Sequence, residues 1–203
     1  VMAPGASGIL MHEAIGHAFE ADFNRVGTSI FAGKMGQHIC RPEVTIVDDG
    51  TQAEDVGCLR WDDEGIPGQR TVLVDKGVLN SYMHDRISAR HYGVEPTGNG
   101  RRESFRHAPQ PRMRSTYMMA GESNPEDIIR SVKKGIYAQV FTNGQVQIGA
   151  GDFTFYMKQG YLIENGHITQ PIRDINVIGN GPRALADISM VGNDLRIDHS
   201  ASM

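Results

Sequence analysis

Two histidines and a glutamate lie close together near the start of the chain, in the segment His12-Glu13-Ala14-Ile15-Gly16-His17. Neutral imidazole nitrogens are good ligands for zinc. A carboxylate beside a bound metal can take a proton from water and pass it to a leaving amine. The segment therefore contains the residue types that a metal-assisted hydrolysis needs.

The spacing of the two histidines differs from that of the HExxH signature of zinc peptidases, which the segment resembles with one extra residue. On a regular helix, at about 100° per residue, side chains five positions apart point about 140° away from each other. A shared metal therefore requires either a local π-bulge, which often occurs at functional sites, or a helix that loosens at Gly16. Both alternatives are open.

The surrounding residues predict a mostly buried helix from about Ser7, its expected N-cap, to about Asp22. On a helical wheel one arc of roughly 140° is polar and the rest is apolar. The polar arc contains His12, Glu13, Gly16, His17 and Glu20. Buried polar groups must be paired, bound to metal or aligned along a cavity. The competing interpretation is a chance motif whose histidines only form hydrogen bonds in the core.

The composition favours a soluble globular chain that is neither a membrane protein nor a general binder of polyanions. Hydrophobic residues make up 39% and charged residues 22% of the 203 residues, and the net charge is -4. We therefore expect no nucleic-acid binding. No apolar run reaches the ~18 residues that cross a bilayer, and no signal peptide is visible. Cys40 and Cys58 are expected to be free thiols in a reducing compartment.

The remaining patterns predict an α+β fold with a mainly antiparallel sheet, a few helices and the metal-motif helix near the N-terminus. Strands are predicted at 43–47, 70–74, 78–82, 114–119, 136–142, 145–148, 153–158 and 160–163. Asn143-Gly144 is predicted to be a hairpin turn, and residues 164–166 another. Short helices are predicted at 85–91, 124–134 and 183–190. Residues 93–112 predict a long irregular loop, and such loops inside domains are often functional.

The stretch His12-Glu13-Ala14-Ile15-Gly16-His17-Ala18-Phe19-Glu20-Ala21-Asp22 resembles the signature of the TldD half of the TldD/PmbA family, also called modulators of DNA gyrase. Later segments are similar to the same family. They include Asp62-Asp63-Glu64-Gly65, Gly98-Asn99-Gly100-Arg101-Arg102 and Thr142-Asn143-Gly144. The similarity extends over nearly the whole chain and is far more specific than the short motif.

The resemblance implies a zinc-dependent peptidase of TldD type that cleaves unfolded or small peptides in the cytoplasm. It implies Zn²⁺ as cofactor, His12 and His17 as its ligands, and Glu13 as the general base. It also implies assembly with a TldE/PmbA-like partner subunit or self-association. We accordingly expect residues 1–203 to be the C-terminal metallopeptidase domain of a TldD-like protein, truncated at both ends.

One expected feature of the family has no match in the chain. The third zinc ligand should be a cysteine in the C-terminal segment, and none is found before Met203. Glu20, Asp22 or a solvent molecule could take its place. Both acids are better candidates for groups that contact the ligands without binding the metal, or for solvated side chains. A fragment without a third ligand could lack activity, so a non-catalytic module that binds peptides or a partner subunit is the competing class. Regulation of DNA topology rests only on the family's older name.

Overall fold

Two antiparallel sheets and several short helices form the fold, which confirms the expected α+β class. The computed structural model describes residues 1–53, 55, 57–147 and 150–197. The first sheet has the order β3-β2-β1-β6, and its strands are β1 (Ile46–Asp49), β2 (Arg70–Asp75), β3 (Val78–Leu79) and β6 (Thr116–Met118). A separate two-stranded ladder joins β4 (Gly100–Arg101) to β5 (Gln110–Pro111).

The second sheet is built on two long paired strands. Its members are β7 (Lys134–Val146), β8 (Asp152–Glu164), β9 (His167–Ile172) and β10 (Ile175–Asn180). β7 pairs with one side of β8, whereas β9 and β10 share the other side. Asn165 and Gly166 have φ of 51° and 79° at the hairpin between β8 and β9, which confirms the predicted turn there. Sequence analysis did not predict β9 and β10.

The predicted turn at Asn143-Gly144 is wrong, because β7 runs straight through it. Asn143 lies opposite Tyr156 and Gly144 opposite Phe155 in the ladder with β8. A Cβ atom on Gly144 would lie 2.2 Å from Cδ1 of Phe155. The glycine therefore makes room for an aromatic ring in the core, and the Asn-Gly pair does not form a turn. Ile148, the last residue of the predicted hairpin, lies outside the described residues.

The α-helices are all short. They are α1 (Pro4–Leu10), α2 (Ala21–Arg25), α3 (Arg86–Tyr92), α4 (Pro125–Arg130) and α5 (Gly181–Ala186). The expectation that Ser7 caps the first helix is wrong. Pro4 begins the helix after Ala3, since the proline ring fixes a helical φ and its missing N–H costs nothing at that position. Among the described residues, no helix combines the length and apolar character that crossing a bilayer requires.

One hydrophobic core joins the N-terminal helical segment to both sheets. Buried side chains of this segment, including Leu10, Ile15 and Phe19, belong to the same cluster as Leu73 of the first sheet and Phe155 of the second. The apolar side of the segment is therefore inside the protein, as the helical wheel predicted. The motif histidines are consequently held on a well-packed support.

A buried polar network ties the long loop at 93–112 to β1. Asn99 is fully buried, and its amide donates to Asp48 Oδ2 over 2.6 Å and to the carbonyl of Arg112 over 2.9 Å. Burial raises the pKa of Asp48, while hydrogen bonds from Thr116, Asn99 and the Arg114 amide oppose that rise. The prediction of a wholly irregular loop is corrected by the short β4-β5 ladder within it. The loop is anchored to β1 at Asn99 and Arg112.

Protonation of the buried residue His84 should make the protein sensitive to acid. Burial lowers the pKa of His84 from 6.5 to about 4, although Asp85 opposes the shift. The unfolded chain takes up this proton near pH 6.5 and the folded chain only near pH 4. The stability is therefore fully present above pH 6.5, and the free energy of unfolding should fall by up to about 3 kcal/mol between pH 6.5 and pH 4.

Urea unfolding across this pH range, followed for His84→Gln and the unmodified protein, measures the effect. The variant should lose less stability on acidification than the unmodified protein. His167→Gln, which removes an exposed histidine of β9, is the matched control, and its free energy of unfolding should change with pH as that of the unmodified protein does. An equal dependence of the free energy of unfolding on pH in all three proteins would contradict the prediction.

Candidate metal centre

The backbone that carries the motif is widened by one residue, as the spacing of the histidines required. α1 ends at Leu10, and a π-helical turn follows at Met11–Ile15. The Gly16 amide donates to the carbonyl of Met11, five residues earlier. The chain then tightens into a 3-10 helix at Gly16–Phe19. The π-helical alternative is therefore confirmed, and the helix also changes its winding at Gly16.

The widened turn brings the two imidazoles side by side. The ring centroids of His12 and His17 lie 5.4 Å apart and their planes make an angle of 84°. Two histidines that each gave one nitrogen to a tetrahedral zinc at ~2.0–2.1 Å would have centroids about 5 Å apart. The observed separation therefore fits a shared metal. His12 Nε2 also lies 3.9 Å from Oε1 of Glu13, so the carboxylate is beside the candidate ligands.

The motif side chains remain partly open to solvent although the residues between them are buried. The side chains of His12, Glu13 and His17 are 41%, 45% and 23% exposed. Ala14 and Ile15 between them are buried. Solvent therefore reaches the histidines and the carboxylate in this chain.

Two glycines allow close packing against the widened turn. A Cβ atom on Gly181, the first residue of α5, would lie 2.1 Å from the carbonyl oxygen of Ala14. A Cβ atom on Gly16 would lie 2.3 Å from Sδ of Met113. The turn therefore lies between α5 and Met113, and on the α5 side the backbone contact leaves no room for a side chain at position 181.

The two histidines have different electrostatic surroundings. Burial lowers the pKa of His12, and the charge of Glu13 opposes this only in part. The neutral imidazole, the form that binds metal, is therefore favoured for His12. Burial also lowers the pKa of His17, but the hydrogen bond to Glu20 and the charges of Glu20 and Glu13 outweigh it and raise the pKa overall.

Glu20 lies beside His17 and is completely buried. Its Oε1 is 3.2 Å from Nδ1 of His17, and its Oε2 accepts from Nη1 of Arg112 over 3.2 Å. The same guanidinium nitrogen is 3.4 Å from Oδ2 of Asp22. Both oxygens of Glu20 are thus occupied, so it acts on His17 and is not placed as a third metal ligand. Sequence analysis missed Arg112 because no local pattern connects it with a residue 92 positions earlier.

The described residues do not by themselves form a complete metal site. Within them, no three side chains of His, Cys, Asp or Glu are grouped closely enough to hold a metal ion. The separation of the His12 and His17 rings fits two ligands of one metal ion. Cys40 and Cys58, the two cysteines of the chain, are both free and half-buried.

A family model described as the PmbA/TldA metallopeptidase C-terminal domain matches residues 1–203. The chain is 50% identical over 198 residues to a Buchnera aphidicola protein named metalloprotease TldD homolog. The matched residues make up 98% of this chain and 41% of that protein. It is 33% identical over 196 residues to a Saccharolobus solfataricus protein named zinc metalloprotease TldD homolog. Here the matched residues make up 96% of this chain and 43% of the relative. The chain spans about two fifths of the length of these relatives.

Solved structures show the same fold. A Thermotoga maritima protein whose description connects it with modulation of a DNA gyrase has a TM-score of 0.87 at 28% identity, over 98% of this chain and 45% of that one. TldE from Thermococcus kodakarensis has a TM-score of 0.81 at 26% identity, over 95% and 43%. The expected fold class and the resemblance drawn from the motifs are both confirmed.

Substitution of Gly181 by alanine should disturb the π-helical turn. Because the new Cβ would meet a backbone oxygen, α5 and the turn must move apart, and we expect the free energy of unfolding to fall by about 1–3 kcal/mol. Gly8→Ala is the matched control, since a Cβ on Gly8, inside α1, meets nothing within 4 Å. This control should gain about 0.5–1 kcal/mol. Similar unfolding curves for the two variants would argue against tight packing at the turn.

Proposed function

Because the chain belongs to the PmbA/TldA metallopeptidase C-terminal domain family, we propose that it supplies two zinc-binding histidines and the general base of a peptidase. The proposed substrates are unfolded or small peptides. The observation that carries the proposal is the 5.4 Å separation of the His12 and His17 rings, which the π-helical turn produces beside Glu13. The name of the Saccharolobus relative, a zinc metalloprotease, supports zinc as the metal.

Each of the three motif residues has one task in the proposed reaction. His12 and His17 each offer one ring nitrogen to zinc. When bound, zinc supplies Lewis-acid polarisation of the scissile carbonyl and makes water more acidic. Glu13, whose Oε1 lies 3.9 Å from His12 Nε2, accepts the proton of the attacking water and passes it to the leaving amine. The exposure of these side chains gives an extended peptide access to them.

The proposal includes a ligand from another part of the protein. We place residues 1–203 within the C-terminal metallopeptidase domain of a longer TldD-like protein, and a cysteine beyond Met203 as the third zinc ligand. The length of the curated relatives, more than twice that of this chain, supports this placement. A TldE-like partner subunit is part of the same proposal, supported by the similarity to the Thermococcus TldE fold. The free cysteines suit a reducing compartment, and we propose the cytoplasm.

A non-catalytic module that binds a peptide or partner is the second candidate. The observation that favours it is the incomplete metal site within the described residues. Zinc content distinguishes the two functions, because a binding module has no need of the metal.

Glu13→Gln in the full-length protein should keep zinc and lose peptidase activity. The amide cannot accept the proton of water, so cleavage of a fluorogenic unfolded peptide should slow by about 10²–10⁴-fold. His12→Gln should lose both the metal and the activity, and His167→Gln, at an exposed position on β9, is the control that should keep both. Metal content is measured by elemental analysis. Unchanged turnover in Glu13→Gln would remove Glu13 as the base, and an absence of zinc in the unmodified protein would favour the binding module.

A further inference from the structure

Glu20 is a carboxylate in a place where the fold alone would favour an apolar residue. Its side chain has no exposed surface, and its neighbours Phe19 and Ala21 are fully buried core residues. Burying a charged group is unfavourable unless partners compensate for the lost water. Both partners of Glu20 are known from the geometry: His17 at Oε1 and Arg112 at Oε2. A buried carboxylate that contacts a candidate metal ligand calls for a functional explanation.

The backbone holds Glu20 in one position. The 3-10 helix ends at Phe19, and Glu20 takes an extended conformation with φ -69° and ψ 125°. On either side of it, the Met83 amide donates to the carbonyl of Phe19 over 2.9 Å, and the Ala21 amide donates to the carbonyl of Met83 over 3.0 Å. The carbonyl of Glu20 itself accepts from the amide side chain of Asn24 over 2.8 Å. These bonds fix the direction from which the carboxylate meets His17.

Arg112 is held in place independently of Glu20. Its backbone amide donates to the carbonyl of Asn99 over 2.9 Å, and its carbonyl accepts from the Asn99 side chain. Its Nη1 donates to the carbonyl of Pro111 over 2.7 Å, and its guanidinium carbon lies 5.9 Å from the centre of the Phe23 ring. The loop anchored on β1 therefore delivers a fixed positive charge to the far side of the Glu20 carboxylate.

We propose that Glu20, held by Arg112, is a positioning residue that keeps the proton of neutral His17 on Nδ1 and so presents Nε2 to zinc. A carboxylate that accepts from one ring nitrogen leaves the other as the electron-pair donor and fixes the orientation of the ring. This inference rests on the proposed function, in which His17 binds zinc. Among the described residues, no carboxylate lies within hydrogen-bonding distance of His12, whose nearest is Glu13 at 3.9 Å. Glu20 therefore acts on only one of the two histidines.

The first measurement follows the imidazole nitrogens of the full-length protein by NMR, without metal, after isotopic labelling of histidine. At a pH where the ring is neutral, His17 should carry its proton on Nδ1. Glu20→Ala should give a mixture with the Nε2-protonated form and leave the signals of His12 unchanged. Glu20→Gln should largely keep the Nδ1 form, because the amide oxygen can still accept the hydrogen bond. A merely structural role for Glu20 would leave the tautomer of His17 unchanged in all of these proteins.

The second measurement is the zinc dissociation constant, determined by competition with a chelator. Glu20→Ala should bind zinc about 10–100-fold more weakly, with a smaller loss for Glu20→Gln. Glu126→Gln is the matched control, because it removes the exposed ion pair on α4 in which Glu126 Oε2 lies 2.9 Å from Nη2 of Arg130. It should bind zinc as the unmodified protein does.

The possible failures are distinguishable. If the unmodified protein binds no zinc, the proposed function and the zinc part of this inference are both overturned. If it binds zinc but Glu20→Ala changes neither the tautomer of His17 nor the zinc affinity, only the positioning role is overturned. Weaker zinc binding in the Glu126→Gln control would also overturn it, because the effect would then follow from lost stability.

Discussion

The hydrogen bond from the Gly16 amide to the Met11 carbonyl widens the helix by one residue, and the positions of both histidines depend on it. With regular α-helical winding, the His12 and His17 side chains would point about 140° apart and could not bind the same metal ion. With the widened turn, their rings lie 5.4 Å apart beside Glu13. A π-helical turn is less favourable than an α-helical one, so the surrounding structure has to hold it.

The packing around the turn provides that support. α5 approaches the Ala14 carbonyl through Gly181, and Met113 covers Gly16, so each side of the turn is in close contact with another part of the chain. Buried side chains before and after the turn, such as Leu10 and Phe19, anchor it in the core shared by both sheets. The site therefore depends on residues that are distant in sequence and carry no chemistry of their own. In the same way, the hydrogen bonds around Asp48 and Asn99 hold the loop that brings Arg112 to Glu20.

Sequence reasoning was most successful where a local pattern had one physical cause. The spacing of His12 and His17 predicted a distorted helix, and the apolar residues around them predicted its burial. It failed where tertiary contacts decided the outcome. Asn143-Gly144 is a strong turn signal, yet the glycine is required for the ring of Phe155. Arg112 could not be connected with Glu20, since the contact depends on how the long loop at 93–112 folds back.

In the proposed site, one zinc ion is bound by both His12 and His17. X-ray absorption spectroscopy at the zinc edge of the full-length protein tests it most directly, because the spectrum counts imidazole ligands. We expect two imidazole nitrogens at ~2.0–2.1 Å together with one sulfur at ~2.3 Å, the sulfur from the proposed cysteine. A zinc shell with fewer than two imidazoles, or a purified protein without zinc, would rule out a metal ion shared by His12 and His17.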